Sequence, residues 1–105
     1  MTDYNSFPNL VKQVEGIVGD KGLNMLINNA GIYSVDTLDK VTPKSMLNHF
    51  EINAVAPLMM SQALAPIIAK SKSEYPPTIV NITAILGGIG DNNLGGSYAY
   101  RCSKV

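Results

Sequence analysis

The sequence has no excess of charge of either sign. Among its 105 residues, eight are lysine or arginine and eight are aspartate or glutamate, so the formal net charge is zero at pH 7. Proteins that bind nucleic acid or anionic membranes through charge carry a basic surface, and a neutral chain gives no such attraction. We therefore expect neither nucleic acid nor a membrane surface among its partners.

Cysteine is also scarce, and uninterrupted apolar runs are short. Cys102 is the only cysteine, so an internal disulfide is excluded and a reducing compartment is expected. The most apolar stretch, residues 54–69, is interrupted by two prolines and two polar residues, which argues against a membrane span. The polar N-terminus does not resemble a signal peptide. These features predict a cytoplasmic location.

Histidine and cysteine occur singly, which argues against a metal site. His49 has no second histidine, so a surface or subunit-interface position is expected for its ring rather than a ligand role. Cys102 has no neighbouring base in the sequence to generate a thiolate. The sequence therefore predicts no metal centre and no thiol chemistry.

Apolar periodicity and capping residues predict two helices in the first two thirds of the chain. Ser6 is suited to cap the first helix. Its apolar stripe comprises Leu10, Val11, Val14, Ile17 and Val18. Thr42 followed by Pro43 starts a longer helix that continues to Ala69. A kink is expected near Pro57, because proline removes a backbone donor.

Two short apolar runs, residues 23–27 and 78–83, are the predicted strands. A glycine-rich loop follows the second run, and a last helix begins near Tyr98. This alternation indicates parallel strands joined by a helical crossover. The predicted fold class is α/β, a partial Rossmann-like doubly wound parallel sheet. Two strands leave apolar faces and edges uncovered, so we expect poor solubility or self-association unless a partner covers them.

A tyrosine and a lysine late in the sequence point to acid–base chemistry. Tyr100 and Lys104 are four residues apart, so a helix places them on one face. A phenol, with a pKa of about 10, exchanges its proton poorly at neutral pH, and a nearby ammonium group favours the phenolate. Ligands of open α/β sheets bind where strands end, and the first predicted strand ends in Asn28-Asn29-Ala30-Gly31. Small residues there let a flat ligand approach the backbone.

Together these motifs resemble the short-chain dehydrogenase/reductase family. Asn28-Asn29-Ala30-Gly31 is similar to the strand-end motif of that family, Asn53 to its active-site asparagine, and Tyr100-x-x-x-Lys104 to its catalytic pair. The flanking segments, residues 81–87 and 98–101, are most similar to sniffer-type carbonyl reductases. The resemblance extends over the whole chain, which corresponds to the central part of a family domain.

The resemblance implies hydride transfer between a nicotinamide cofactor, with NADP(H) favoured over NAD(H), and a small carbonyl compound. Tyr100 would be the general acid, and Lys104 would hold the nicotinamide ribose beside it. Asn53 would support a water that leads protons to the lysine. The turn against the adenosine side of the cofactor would comprise Asn28, Ala30 and Gly31. In this family the long helix and the tyrosine-bearing helix commonly form a dimer interface, so a homo-oligomer is expected.

Two departures from the family pattern predict little activity for this chain alone. Ala84 stands where family members place a serine that holds the substrate oxygen, and losing one such donor costs about 10²–10³ in rate. Thr83 is adjacent, but side chains alternate along a strand, so its hydroxyl is expected to point away. The alternative is a local twist at the strand end that turns the Thr83 hydroxyl toward the substrate. The glycine-rich turn that binds the pyrophosphate is absent, so weak cofactor binding is expected.

Residues 1–105 are therefore interpreted as one partial domain, without the N-terminal glycine-rich cofactor turn and the C-terminal substrate-binding part. The leading hypothesis is a segment of an NAD(P)H-dependent carbonyl reductase. The alternative is a catalytically inactive truncated fragment, or a dimerisation module that pairs with an intact family member. Ala84 in place of serine fits this alternative.

Overall fold

A computed structural model of the protein describes residues 2–90 and 92–105. The α-helices in these ranges are α1 (Phe7–Val18), α2 (Pro43–Phe50), α3 (Ala56–Ala69) and α4 (Tyr98–Ser103). The strands are β1 (Met25–Asn28), between α1 and α2, and β2 (Thr78–Asn81), between α3 and α4. This order confirms the predicted alternation, although neither strand has the bounds expected from its apolar run.

The two strands pair in parallel, as predicted. Their register sets Met25 beside Thr78 and Asn28 beside Asn81. The N–H of Ile82 donates to the carbonyl oxygen of Asn28 at 3.2 Å, so pairing continues one residue past β2. Because parallel strands end at the same edge of a sheet, the residues that follow β1 and β2 emerge side by side.

Helices α2 and α3 form one continuous helical segment, Pro43–Ala69, which we call the long helix. They are joined by a π-helical turn, Glu51–Val55. Thr42 caps the segment as predicted, because its Oγ1 accepts the N–H of Ser45 at 3.1 Å. The π turn ends two residues before Pro57, whose ring does not fit the regular α-helical pattern. The helix thus changes type just before this proline, and the kink expected there stays a prediction.

The core lies between α1, α3 and one side of the sheet. Its most buried members are Leu64, Ile67 and Ile68 of α3. The partly buried residues packed against them are Val11, Val14, Val18, Leu23, Leu26 and Met60. The N–H of Leu23 also donates to the carbonyl oxygen of Ile67 at 3.2 Å. This packing fixes the start of β1 against the end of the long helix.

Two details of α1 differ from the sequence prediction. Ser6 precedes the helix, but its hydroxyl donates to the carbonyl oxygen of Asp3 at 2.7 Å and caps no helix amide. The reason is that Tyr4–Ser6 already forms a 3₁₀ turn, whereas a capping residue needs an extended backbone. Ile17 was expected in the apolar stripe and is 84% exposed. That expectation is wrong, because α3 covers only the valine side of α1.

The opposite side of the sheet has no cover within the described ranges. Met25 and Ile27 of β1 are 47% and 54% exposed. The radius of gyration is 16.6 Å, whereas a compact domain of this length has about 13 Å. The fold therefore leaves apolar strand surface open, which fits the expected need for neighbouring strands. Self-association itself stays a prediction.

By length and composition alone, the long helix is apolar enough to cross a membrane, with a mean hydropathy of 1.5 over its most apolar window. Neither Pro57 nor Pro66 ends the long helix, so the prolines in its sequence do not by themselves exclude a membrane-spanning helix. A core helix of an α/β protein has the same properties. Leu64, Ile67 and Ile68 pack against α1 and β1, and this packing favours the core-helix interpretation.

Candidate active site

The first strand ends in a buried asparagine that joins both strands to the long helix. Nδ2 of Asn28 donates to Oγ of Ser61 at 3.0 Å and to Oδ1 of Asn81 at 2.8 Å. Oγ of Ser61 donates in turn to the carbonyl oxygen of Pro57 at 2.8 Å. Asn28 is only 6% exposed, so its side chain offers little surface to a ligand. In the structure, the Asn28 side chain fixes the end of β1 against β2 and the long helix. Its role in cofactor binding stays a prediction.

Asn53 is buried in the π turn and connects three parts of the chain. Its Oδ1 accepts the N–H of Ile32 at 2.8 Å, and its Nδ2 donates to the carbonyl oxygen of Ile32 at 2.9 Å. Nδ2 also donates to Oγ of Ser103 at 2.8 Å. The side chain thus ties the loop after β1 and helix α4 to the long helix. Its support of a water near the lysine stays a prediction.

Gly31 brings the strand-end turn against Asn53 and Lys104. A Cβ atom built on Gly31 would lie 2.9 Å from Oδ1 of Asn53 and 3.5 Å from Nζ of Lys104. A side chain at this position would press on Oδ1 of Asn53, which the N–H of Ile32 holds in place, so the close approach favours glycine. Ala30 beside it is exposed. The structure therefore brings the turn, the asparagine and the lysine of the sequence motifs into one small volume.

Helix α4 carries Tyr100 and ends next to Lys104. The N–H of Lys104 donates to the carbonyl oxygen of Tyr100 at 3.1 Å, which confirms the helical spacing of the pair. Nζ of Lys104 donates to the carbonyl oxygen of Ile82 at 3.0 Å. The ring of Tyr100 meets the ring of Tyr33 edge-on, with centroids 4.7 Å apart. The helix therefore presents its tyrosine to the loop after β1 and its lysine to the end of β2.

The two residues at the predicted substrate-oxygen position provide no free hydroxyl. Ala84 is half-buried and carries only a methyl group. Oγ1 of Thr83 donates to the carbonyl oxygen of Lys104 at 2.7 Å. A hydroxyl group has a single proton to donate. Thr83 therefore stabilises the lysine backbone and cannot donate to a substrate oxygen at the same time, which supports the expectation that it does not replace the missing serine.

Three residues that hold α4 in place were not singled out from the sequence. The guanidinium group of Arg101 donates to three carbonyl oxygens of the glycine-rich loop, at 3.0 to 3.3 Å. Those carbonyls belong to Leu86, Gly95 and Gly96. Ser103 joins α4 to Asn53 of the long helix. In the sequence, only its position next to Lys104 could have indicated that it belongs to the site. Asp36 contacts the start of α4 from 62 residues before Tyr98, where no local pattern could indicate it.

His49 is buried, so the predicted surface position is wrong. Its ring is 4% exposed, with Nδ1 2.8 Å from the carbonyl oxygen of Ser45 and Nε2 3.0 Å from Oγ of Ser34. A neutral ring that donates from Nδ1 and accepts at Nε2 satisfies both contacts. Burial is tolerated because both nitrogens have partners. In residues 2–90 and 92–105, no group of three His, Cys, Asp or Glu side chains is placed to hold a metal.

An open cavity of about 480 Å³ lies between the long helix, β2 and the end of α4. Its described lining includes Asn53, Asn81 and Lys104, but neither Tyr100 nor Ala84. The cavity is thus bordered by the predicted lysine, but not by the predicted general acid or the substrate-oxygen position. The cavity therefore is not assigned to the carbonyl substrate.

Comparison with known proteins gives consistent matches over the whole chain. Residues 1–105 match the sequence profile of the short chain dehydrogenase family. The solved structure of the carbonyl reductase Sniffer of D. melanogaster is 35% identical, with a TM-score of 0.91, over 98% of this chain and 45% of that one. The NADPH-bound carbonyl reductase from chicken fatty liver is 38% identical, with a TM-score of 0.90, over 98% and 44%.

A further relative is the NADPH-dependent 3-dehydrocapnine reductase of Ornithobacterium rhinotracheale. It is 28% identical over 87 residues, which are 82% of this chain and 31% of that protein. The chain thus spans less than half the length of the relatives it matches. The structural matches also confirm the predicted fold class, a partial Rossmann-like α/β sheet.

Proposed function

Because the chain belongs to the short-chain dehydrogenase family, we propose that it carries part of a hydride-transfer site that reduces a small carbonyl compound with NADPH. The observation that carries the proposal is the convergence around Gly31, where Oδ1 of Asn53 and Nζ of Lys104 both lie within 3.5 Å of one Cβ position. Tyr100 is one helical turn from Lys104. The NADPH-bound chicken reductase and the NADPH-dependent Ornithobacterium reductase favour NADP(H) over NAD(H).

In the proposed reaction, Tyr100 is the general acid. The reduced nicotinamide, when bound, supplies the hydride to the carbonyl carbon. Tyr100 donates its hydroxyl proton to the carbonyl oxygen as negative charge develops there. The edge-on ring of Tyr33 restricts the orientation of the phenol. Asn53, through Ser103, keeps α4 docked against the long helix, and we propose that it also supports a water from which the proton is replaced.

The residues around Gly31 fit the sugar and the flat ring of a dinucleotide. The ammonium group of Lys104 has three donor hydrogens and uses one of them on the carbonyl oxygen of Ile82. The others are able to donate to ribose hydroxyls. Ala30 and Gly31 are exposed and small, so a flat group can approach their backbone. Because the sequence has no glycine-rich pyrophosphate turn, we propose that this chain alone binds the cofactor weakly.

Titration of the chain with NADPH, followed by the NMR shifts of backbone amides, tests this proposal. We expect changes at Gly31 and Lys104 only near millimolar cofactor, where binding energy is about 4 kcal/mol. Lys104→Met keeps the length of the side chain without its charge and should weaken the response. Lys72→Met removes an exposed lysine elsewhere and should not.

Three results would count against the proposal. Equal responses of the two lysine variants would remove the assigned role of Lys104. The absence of any shift at Gly31 would remove the cofactor site. Saturation far below millimolar NADPH would show that the expected weakness is wrong. A parallel titration with NADH tests the cofactor preference, which should appear as a weaker response.

We further propose that the protein is cytoplasmic, binds neither nucleic acid nor membrane, and forms a homo-oligomer. The zero net charge and the single cysteine support the location and the absence of charged partners. Large apolar side chains exposed on the long helix support an interface between copies. They are Leu47, Phe50 and Leu58, which are 69%, 53% and 63% exposed.

A second candidate function is pairing without catalysis. The methyl group of Ala84, the occupied hydroxyl of Thr83 and the exposed apolar side chains of the long helix favour it. Sedimentation of the chain, alone and mixed with an intact family reductase, tests association. Leu47→Lys should prevent it, whereas Ile17→Lys, at a position 84% exposed on α1, should not. Monomeric behaviour of the unaltered chain in both experiments would remove this candidate.

A further inference from the structure

Asp36 accepts hydrogen bonds from three successive amides at the start of the helix that carries Tyr100. Oδ1 accepts the N–H of Tyr98 at 2.6 Å, and Oδ2 accepts the N–H of Ala99 at 3.3 Å. The main-chain carbonyl oxygen of Asp36 accepts the N–H of Ser97 at 2.9 Å. A single residue of the loop between β1 and α2 therefore accepts the hydrogen bonds of the amides that lead into α4.

Ser97, the residue directly before α4, does not cap the helix. Ser97 precedes it with φ 50° and ψ 43°, a left-handed backbone, and its side chain bonds to no helix amide. A residue caps from an extended backbone, so Ser97 cannot take this role. The first amides of a helix need acceptors from elsewhere. A carboxylate suits them well, because its hydrogen bonds are charge-assisted and its negative charge is favourable at a helix N-terminus.

The loop that contains Asp36 also contacts the proposed site at two other places. Ile32 exchanges two hydrogen bonds with the side chain of Asn53. The ring of Tyr33 meets the ring of Tyr100. Helix α4 has only six residues, too few to be stable without tertiary contacts. Its position therefore depends on contacts such as these.

We propose that Asp36 is a positioning residue, whose carboxylate fixes the start of α4 so that Tyr100 packs against Tyr33 and Lys104 reaches Gly31. The importance of Asp36 for catalysis rests on the proposed function, whereas its role in positioning α4 does not depend on it. A displacement of reacting groups by about 1 Å is able to cost 10²-fold in rate. Loss of the Asp36 carboxylate would therefore impair the site without touching a reacting atom.

Amide hydrogen exchange in the full chain tests this proposal. In Asp36→Ala, the amides of Tyr98 and Ala99 should exchange roughly ten- to hundredfold faster, as expected for the loss of hydrogen bonds to a charged group. Asp36→Asn keeps one acceptor oxygen in the same place and should restore part of the protection. Asp39→Ala removes an equal charge from the same loop, where the carboxylate accepts from Thr37, and should leave both amides unchanged.

A second measurement is the nuclear Overhauser effect between the rings of Tyr33 and Tyr100. A general loss of stability would not weaken this one contact selectively. The effect should weaken in Asp36→Ala, recover in part in Asp36→Asn and persist in Asp39→Ala, while the core amides of α3 keep their protection. Equal exchange in the two alanine variants would overturn the proposal. So would an equal loss of protection in α3. If the unaltered chain fails to respond to NADPH, the proposed function is wrong. Amide exchange at Tyr98 and Ala99 and the contact between the two tyrosine rings still decide whether Asp36 positions α4.

Discussion

Substitution of Gly87 by alanine should displace the backbone of Lys104. Gly87 is buried in a 3₁₀ turn, Ile85–Gly87, that packs against the end of α4. A Cβ atom at this position would lie 2.5 Å from the carbonyl carbon of Lys104 and 2.9 Å from its Cβ. The carbonyl oxygen of Lys104 would lie closer still, and real Cβ contacts essentially never fall below 3.0 Å, so the lysine backbone must move by more than about 0.5 Å. A backbone atom cannot rotate away as the end of a side chain could.

The free energy of unfolding should fall by about 1–3 kcal/mol, the usual cost of overpacking a site of this kind. The hydrogen bond from Thr83 to the carbonyl oxygen of Lys104, 2.7 Å long, should be distorted by the same shift. Because Lys104 then moves relative to Gly31, any response of the chain to NADPH should weaken as well. Both effects have one cause, so they should appear together.

Urea unfolding monitored by circular dichroism measures the change in stability, and the NMR shift of the Lys104 amide reports the displacement. Gly90→Ala is the matched control, because a Cβ there meets nothing within 4 Å. That control should change stability by no more than about 0.5 kcal/mol. If Gly87→Ala is as stable as Gly90→Ala and leaves the Lys104 amide unshifted, the packing argument is refuted.

Three further predictions concern a missing donor, a helix cap and an ionisation. Ala84→Ser should raise the rate of NADPH oxidation with a test aldehyde by about 10²–10³, and an unchanged rate would mean that position 84 does not face the carbonyl oxygen. Thr42→Ala should lower the free energy of unfolding by about 1 kcal/mol in urea titrations, because the amide of Ser45 loses its acceptor, whereas Thr42→Ser should be nearly neutral. Partial burial raises the pKa of Tyr4 above 10.0, and the charge and hydrogen bond of Glu51 raise it further, so Glu51→Gln should lower the pKa in an absorbance titration. Since the folded state holds the Tyr4 proton more tightly, this group stabilises the fold below pH 10, and the stabilisation is lost as the pH rises through the folded pKa. An unchanged tyrosine titration in Glu51→Gln would contradict the role assigned to Glu51.

Local signals predicted the features that depend on neighbouring residues in the sequence. The hydroxyl of Thr42 and the ring of Pro43 marked the start of the long helix, because capping involves amides only three residues away. The four-residue spacing of Tyr100 and Lys104 predicted their shared helical turn for the same reason. Ser6 met the same local criteria, but the 3₁₀ turn before α1 gave its backbone the wrong angles, so its expected cap is absent.

Burial was less predictable, because it depends on which element arrives from elsewhere. Ile17 has the periodicity of a core residue and is exposed, since α3 covers the other side of α1. His49 is a polar residue and is buried, since Ser34 and Ser45 supply partners for both of its ring nitrogens. Neither outcome follows from hydrophobicity alone, because both depend on partners brought by the fold.

By itself, the sequence determined the α/β class, the family resemblance and the identity of the candidate residues, since these follow from short motifs and local periodicity. The tertiary structure alone decided what their side chains bond to. The side-chain amide of Asn28 donates to Asn81, the Thr83 hydroxyl donates to the main-chain carbonyl oxygen of Lys104, and the Asp36 carboxylate accepts from the start of α4. These bonds join segments from 21 to 63 residues apart in the chain. The partner in each is chosen by how the elements pack, and no local pattern encodes that choice.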